Sequence, residues 1–150
     1  MSDVRAEVER ALAQVEIPAS ALVGCSEQEV EALERKFGLR LPASYRAFLR
    51  LCGREMGPFC RGTDMFYPAI EDGRGGLVEL LAEGQVHFEL SSDEFVFMSH
   101  QGYVYCFFSC SDGHDPPVRQ YVELDEAPKV VAGSFTGWLR DVLSDEVRHF

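Results

Sequence analysis

The stretch from Phe95 to Phe108 constrains the fold more than any other part of the chain. Phe95-Val96-Phe97-Met98 and Tyr103-Val104-Tyr105-Cys106-Phe107-Phe108 are rich in aromatic and β-branched residues, and Ser99-His100-Gln101-Gly102 between them supplies a short loop with a glycine available for positive φ. That pattern predicts a β-hairpin. Strand side chains alternate faces, so Tyr103, Tyr105 and Phe107 point one way while Val104, Cys106 and Phe108 point the other. Both faces are apolar. An antiparallel sheet commonly leaves one face to water, so these strands must be central ones, with helices, long loops or a partner on the second face.

The chain supplies helices for that purpose. Ser26 and Glu29 form a capping box, Val30, Leu33 and Phe37 follow at helical spacing, and Gly38 provides the left-handed residue that ends many helices. After Leu39-Arg40-Leu41, Pro42 stands at the first position of a second helix, where its missing N–H costs least. Tyr45, Phe48, Leu49 and Cys52 form its stripe, and Gly53 closes it. Further on, the turn from Ser111 to Pro117 leads into a third strand, Val118 to Val122, and Val130-Val131-Ala132 can add an edge. Ser134 can cap a last helix with Phe135, Trp138, Leu139, Val142 and Leu143 on one side.

The remaining segments are less defined. Ser2 to Val15 carries Val4, Val8, Ala11, Leu12 and Val15 on one helical face, which predicts a helix docked on the domain, the alternative being a partner's groove. Gly53 to Gly76 is punctuated by Gly57-Pro58, Gly62 and the run Asp72-Gly73-Arg74-Gly75-Gly76, with Met65-Phe66-Tyr67 as a short strand. The glycine run lacks the Gly-Lys-Ser/Thr ending and the Gly-x-Gly-x-x-Gly spacing of phosphate-binding loops, so it reads as a flexible loop. Leu77, Leu80 and Leu81 then suggest a brief helix to Glu83. The expected fold class is α+β: a single domain with a mixed or antiparallel sheet and helices packed against it.

The order of these pieces resembles a known family. A capped acidic helix, Phe37-Gly38-Leu39, then Leu41-Pro42-Ala43-Ser44-Tyr45 and Phe48-Leu49 before Gly53, is similar to the N-terminal signature of the SUKH superfamily, the SMI/KNR type. Asp115-Pro116-Pro117-Val118 with Tyr121, and Ser134-Phe135 with Trp138 and Leu139, extend the resemblance to the C-terminus. It divides the chain into residues 1–24, an N-terminal helix and connector, and residues 25–150, the SUKH-like domain. The resemblance implies the same α+β architecture. It also implies a protein-binding role, either as an immunity protein that neutralises a bacterial toxin or as a regulatory scaffold.

Composition narrows the partners. At 150 residues and 46% hydrophobic, the chain is one ordinary domain, able to bury roughly 68–70% of its unfolded surface. Five cysteines at irregular spacing, with no basic and apolar leader ahead of them, predict reduced thiols in the cytoplasm. No run approaches the roughly 20 apolar residues of a membrane span. Residues 1–75 hold 10 Lys and Arg against 12 Asp and Glu, whereas residues 76–150 hold 4 against 13. An acidic C-terminal half repels nucleic acid and membrane and attracts a basic protein, or it serves solubility alone. Oligomeric state is open between a monomer and a weak homodimer.

Candidates for chemistry are thin. Cys110 and His114, in Ser109-Cys110-Ser111-Asp112-Gly113-His114-Asp115, could form the dyad of a hydrolase, but Asp, Gly, Ser and Pro also make an ordinary turn. Cys106 and Cys110 lack the second pair of a zinc site, and Asp112, His114 and Asp115 lack the ligand ladder of a calcium loop. His87, His100 and His149 stand singly. No catalytic residue, metal or cofactor is expected. What remains is a surface: Glu89, Asp93, Glu94, Asp112, Asp115, Glu123, Asp125 and Glu126 at the strand ends and loops, with Tyr103, Tyr105 and Tyr121 as aromatic anchors for a basic partner. A solvated rim over core tyrosines would give the same pattern.

Overall fold

The computed structural model describes residues 4–14, 17–57, 60 and 62–149, with side chains to residue 144. In chain order the elements are α1 (Val4–Ala13), β1 (Leu22–Val23), α2 (Glu27–Phe37), α3 (Ala43–Cys52), β2 (Glu55–Met56), β3 (Thr63–Asp64), α4 (Gly73–Glu83), β4 (Glu94–His100), β5 (Val104–Ser109), β6 (Val118–Val122), β7 (Lys129–Ala132) and α5 (Phe135–His149). The ends of the helix expected from Ser2 to Val15, Pro58 and the His149 side chain lie outside the described residues.

Strands β3-β4-β5-β6-β7 form one antiparallel sheet in sequence order, and β1 and β2 pair as a separate ribbon. The doubly apolar strands lie inside the sheet and are covered twice. On one face Phe95, Phe97, Cys106, Phe108 and Val118 join the main core with α1, α2, α3 and α5. On the other, Val96, Tyr105, Phe107 and Tyr121 pack beneath Leu77 and Leu81 of α4. The fold is therefore α+β, as the strand pattern requires.

The two-helix unit forms as its sequence dictates. Ser26 Oγ accepts from Glu29 N at 3.1 Å, Glu29 Oε1 accepts from Ser26 N at 2.9 Å, and Gly38 takes φ +63°. Glu34, half-buried in the last turns of α2, accepts from Leu41 N at 2.8 Å and from Arg46 Nη1 at 2.7 Å, fixing α3 against α2. Tyr45 then enters the core edge-on to Phe135 at 5.3 Å and to Phe108 at 5.2 Å, while Phe97 meets Trp138 at 4.8 Å. Edge-to-face rings at these separations each add about 0.5–1.5 kcal/mol beyond burial. Helix α1 places Val8, Ala11 and Leu12 in the same core.

Two expectations are corrected. The glycine run is the first turn of α4, which spans Gly73–Glu83, and two of its glycines lie too close to the sheet for a side chain. A Cβ on Gly76 would come within 2.7 Å of Tyr105 Oη, and one on Gly73 within 3.1 Å of Val96 Cγ1. Close approach therefore accounts for Gly73 and Gly76, while Gly75 faces open space. Met65-Phe66-Tyr67 is not a strand; the pairing falls just before it, where Thr63 and Asp64 meet His100 and Ser99.

Candidate binding surfaces at the two ends of the sheet

The antiparallel register sorts the loops into two groups. Val104 pairs with Val122, so the β4–β5 loop and the β6–β7 turn share one end of the sheet. Glu94 pairs with Ser109, which places the approach to β4 and the β5–β6 loop at the other.

At the β5–β6 end, carboxylates expected to face a partner are turned inward. Asp93 accepts hydroxyl hydrogen bonds from Ser109 at 2.6 Å, from Ser111 and from Ser91. These bonds stabilise the anion and hold its carboxyl below the ordinary 3.8. Its carbonyl accepts from Cys110 N at 2.8 Å. Asp115 reaches across to α5, where its carboxylate accepts from Thr136 N at 3.0 Å and from Thr136 Oγ1 at 2.6 Å. Ser134 Oγ accepts from Gly137 N at 3.0 Å, so the last helix is capped twice. Glu94 is 6% exposed, accepts from Ser91 N at 2.8 Å and pairs with Arg119 at 3.4 Å. Asp93, Glu94 and Asp115 thus build the loop instead of lining a docking face. Asp112 stays exposed there.

The opposite end differs. Tyr105 and Tyr121, expected as anchors, are 6% and 1% exposed beneath α4 and cannot meet a partner. Alternation explains it: both lie on the face that Leu77 and Leu81 cover. Tyr121 works through its hydroxyl, which donates to the Asp125 carbonyl at 2.9 Å. Burial, then the carboxylates of Asp125 and Glu123, raise its pKa above the ordinary 10, so it remains a donor. Glu123 N donates to the Tyr103 carbonyl at 2.8 Å, and Asp125 Oδ2 accepts from Val122 N at 3.2 Å. Tyr103, Glu123 and Asp125 are thereby brought together, with Leu124 projecting from among them at 93% exposure. Leu124 was not singled out from the sequence, although an apolar residue between two carboxylates just past a strand has no core to enter. Glu89, exposed in the α4–β4 connector, belongs to neither group.

Cys110 and His114 do line a common cleft of about 530 Å³, with Arg40, Arg46 and the start of α3. The chemistry of a dyad is not assembled in it. Among the described residues no hydrogen bond joins the two side chains; the His114 carbonyl accepts from Ser44 N at 2.9 Å, which ties the loop to α3. Burial, then the charges of Asp93 and Glu34, push the Cys110 thiol up to about 12. A neutral thiol is neither an effective nucleophile nor a metal ligand. Among the described residues no three His, Cys, Asp or Glu converge on a metal position, and no helix is long and apolar enough to cross a membrane.

No curated protein matches the chain. The model of the SMI1 / KNR4 family (SUKH-1) matches residues 24–141, which leaves α1 outside and takes in both helix caps, the sheet and the start of α5. Within that span Gly38, Leu41, Pro42, Tyr45, Phe48, Leu49 and Gly53 form the two-helix unit. Pro117, Val118, Ser134, Phe135, Trp138 and Leu139 tie β6 and α5 to it. A match over most of its length shows that the chain belongs to the SMI1 / KNR4 family (SUKH-1).

Proposed function

We propose that the protein is a non-enzymatic binding domain of the cytoplasm that neutralises a cognate bacterial toxin of nuclease or deaminase type by occluding its basic cleft. Family membership over residues 24–141 is the observation that carries this reading. Charge supports it: 13 acidic against 4 basic residues after Gly75 can imitate a nucleic-acid backbone toward such a cleft. Cys25, Cys52, Cys106 and Cys110 are free thiols, as suits a reducing compartment. The domain acts as a monomer or a weak homodimer, without cofactor.

Coexpression with the toxin encoded beside it is the test. Restored growth, together with a complex that forms below micromolar concentration and weakens as salt is raised, is the expected result. No rescue and no complex at micromolar concentration would overturn the reading. Binding of several unrelated proteins without protection would point instead to a regulatory scaffold.

A further inference from the structure

We propose that the ledge built by the β6–β7 turn and the C-terminal end of α4 is where the domain docks a basic protein surface, with Leu124 as the apolar anchor. The inference rests on the protein-binding reading above and supplies its interface.

Leu124 is the most exposed large apolar residue among those described, at 93%. It sits at φ +81°, a backbone region that a branched side chain rarely occupies. Such a conformation persists only where its surroundings impose it. Here they do so through three bonds already described, from the Tyr121 hydroxyl to the Asp125 carbonyl, from Val122 N to the Asp125 carboxylate and from Glu123 N to the Tyr103 carbonyl. A fourth runs from Asp125 N to the Val122 carbonyl at 2.9 Å. The leucine is therefore presented on a turn ordered in advance, which lowers the entropic cost of docking.

Its surroundings select the occupant. Beside Leu124 a cleft of about 280 Å³ has Leu80 and Val86 on its apolar side and Glu83, Glu123 and Asp125 as its charged side. Apolar walls that end in carboxylates suit the stem and head of a lysine or arginine. The carbonyl end of α4 at Gly84 adds to the same negative field. Tyr103, 39% exposed, extends the apolar area on the other side of the turn. A second copy of the chain would bring another net charge of −11 to this surface and be repelled. A basic partner gains from both the apolar contact and the rim, with the rim chiefly speeding association.

The test uses the full chain and the toxin encoded beside it. Binding is measured for the wild type, Leu124→Asp, Leu124→Gly, the double variant Glu83→Gln/Glu123→Gln, and Glu31→Gln on the exposed side of α2 as control. The expected result is at least about 30-fold weaker binding for both Leu124 variants. The double variant should associate more slowly with a shallower salt dependence, and Glu31→Gln should match the wild type. Thermal melts establish that the Leu124 variants are folded, and agreement between Asp and Gly separates loss of the anchor from added charge. Wild-type binding that both Leu124 variants retain would overturn the ledge and leave the protein-binding reading standing. A wild type that does not bind would overturn that reading and the ledge with it. A homodimer that Leu124→Asp dissolves would assign the ledge to a second copy and overturn the basic partner.

Discussion

The two ends of the sheet are both acidic loops, yet they use their carboxylates in opposite ways. At the β5–β6 end, Asp93 and Asp115 accept hydrogen bonds from serines, a threonine and a helix N-terminus. At the β6–β7 end, Glu123 and Glu126 are exposed, and Asp125 gives one carboxylate oxygen to Val122 N while still lining the cleft beside Leu124. Local acidity therefore does not decide whether a loop is structural or interactive. What decides is whether side-chain donors lie within reach: the first loop contains Ser109 and Ser111 and faces α5, whereas the second is held chiefly by backbone bonds within the turn and to Tyr103. Negative charge left over at the second end is available to a partner.

The sharpest way to break the contrast is Asp115→Ala. Thr136 is 3% exposed, and the substitution strips the acceptor from its N–H and leaves its hydroxyl only a 3.4 Å contact with Ser134 Oγ. Leaving such donors unmet costs about 1–3 kcal/mol, readable as a lower midpoint in urea unfolding. A midpoint equal to that of the wild type would show that the β5–β6 carboxylates are not structural. Tyr121→Phe should cost less, about 1 kcal/mol, because it removes one hydrogen bond and leaves the packed ring in place.

Asp93 gives a test in pH. Its folded pKa lies below the ordinary 3.8, so its contribution to stability is fully present above that value and is lost as pH falls through the folded one. The gap in stability between the wild type and Asp93→Asn should be constant from neutral pH to about 5, well above the unfolded carboxyl, and narrow below 4. A gap that widens on acidification would contradict the serine cluster.

The elements were largely legible and their use was not. Phe95 to Phe108 required a sheet covered on both faces, and Ser26, Glu29 and Gly38 marked both ends of α2, because periodicity and caps are local properties. The glycine run misled because its reason is tertiary: Gly76 is small on account of Tyr105, which lies far along the chain. Site residues failed for the same cause. Glu94 and Tyr121 carry side chains that suit a binding surface, and only the placement of Arg119, Ser91 and α4 shows them to be interior. Leu124 could have been noticed from its carboxylate neighbours, but its backbone conformation has no counterpart in the sequence.

The smallest effects are expected at the end that faces outward. Glu123→Gln keeps shape and removes a charge from an exposed side chain, so unfolding stability should stay within about 0.5 kcal/mol of the wild type. Leu124→Gly sharpens the point. A left-handed backbone costs most side chains roughly 1–2 kcal/mol, which glycine escapes, while the more flexible unfolded chain takes back about 0.5–1. Stability should be unchanged or up to about 1.5 kcal/mol higher, whereas truncating a packed leucine to alanine costs about 2–5. A melting temperature that falls in proportion to the latter figure would mean that Leu124 is part of the fold, and the two ends of the sheet would then be alike.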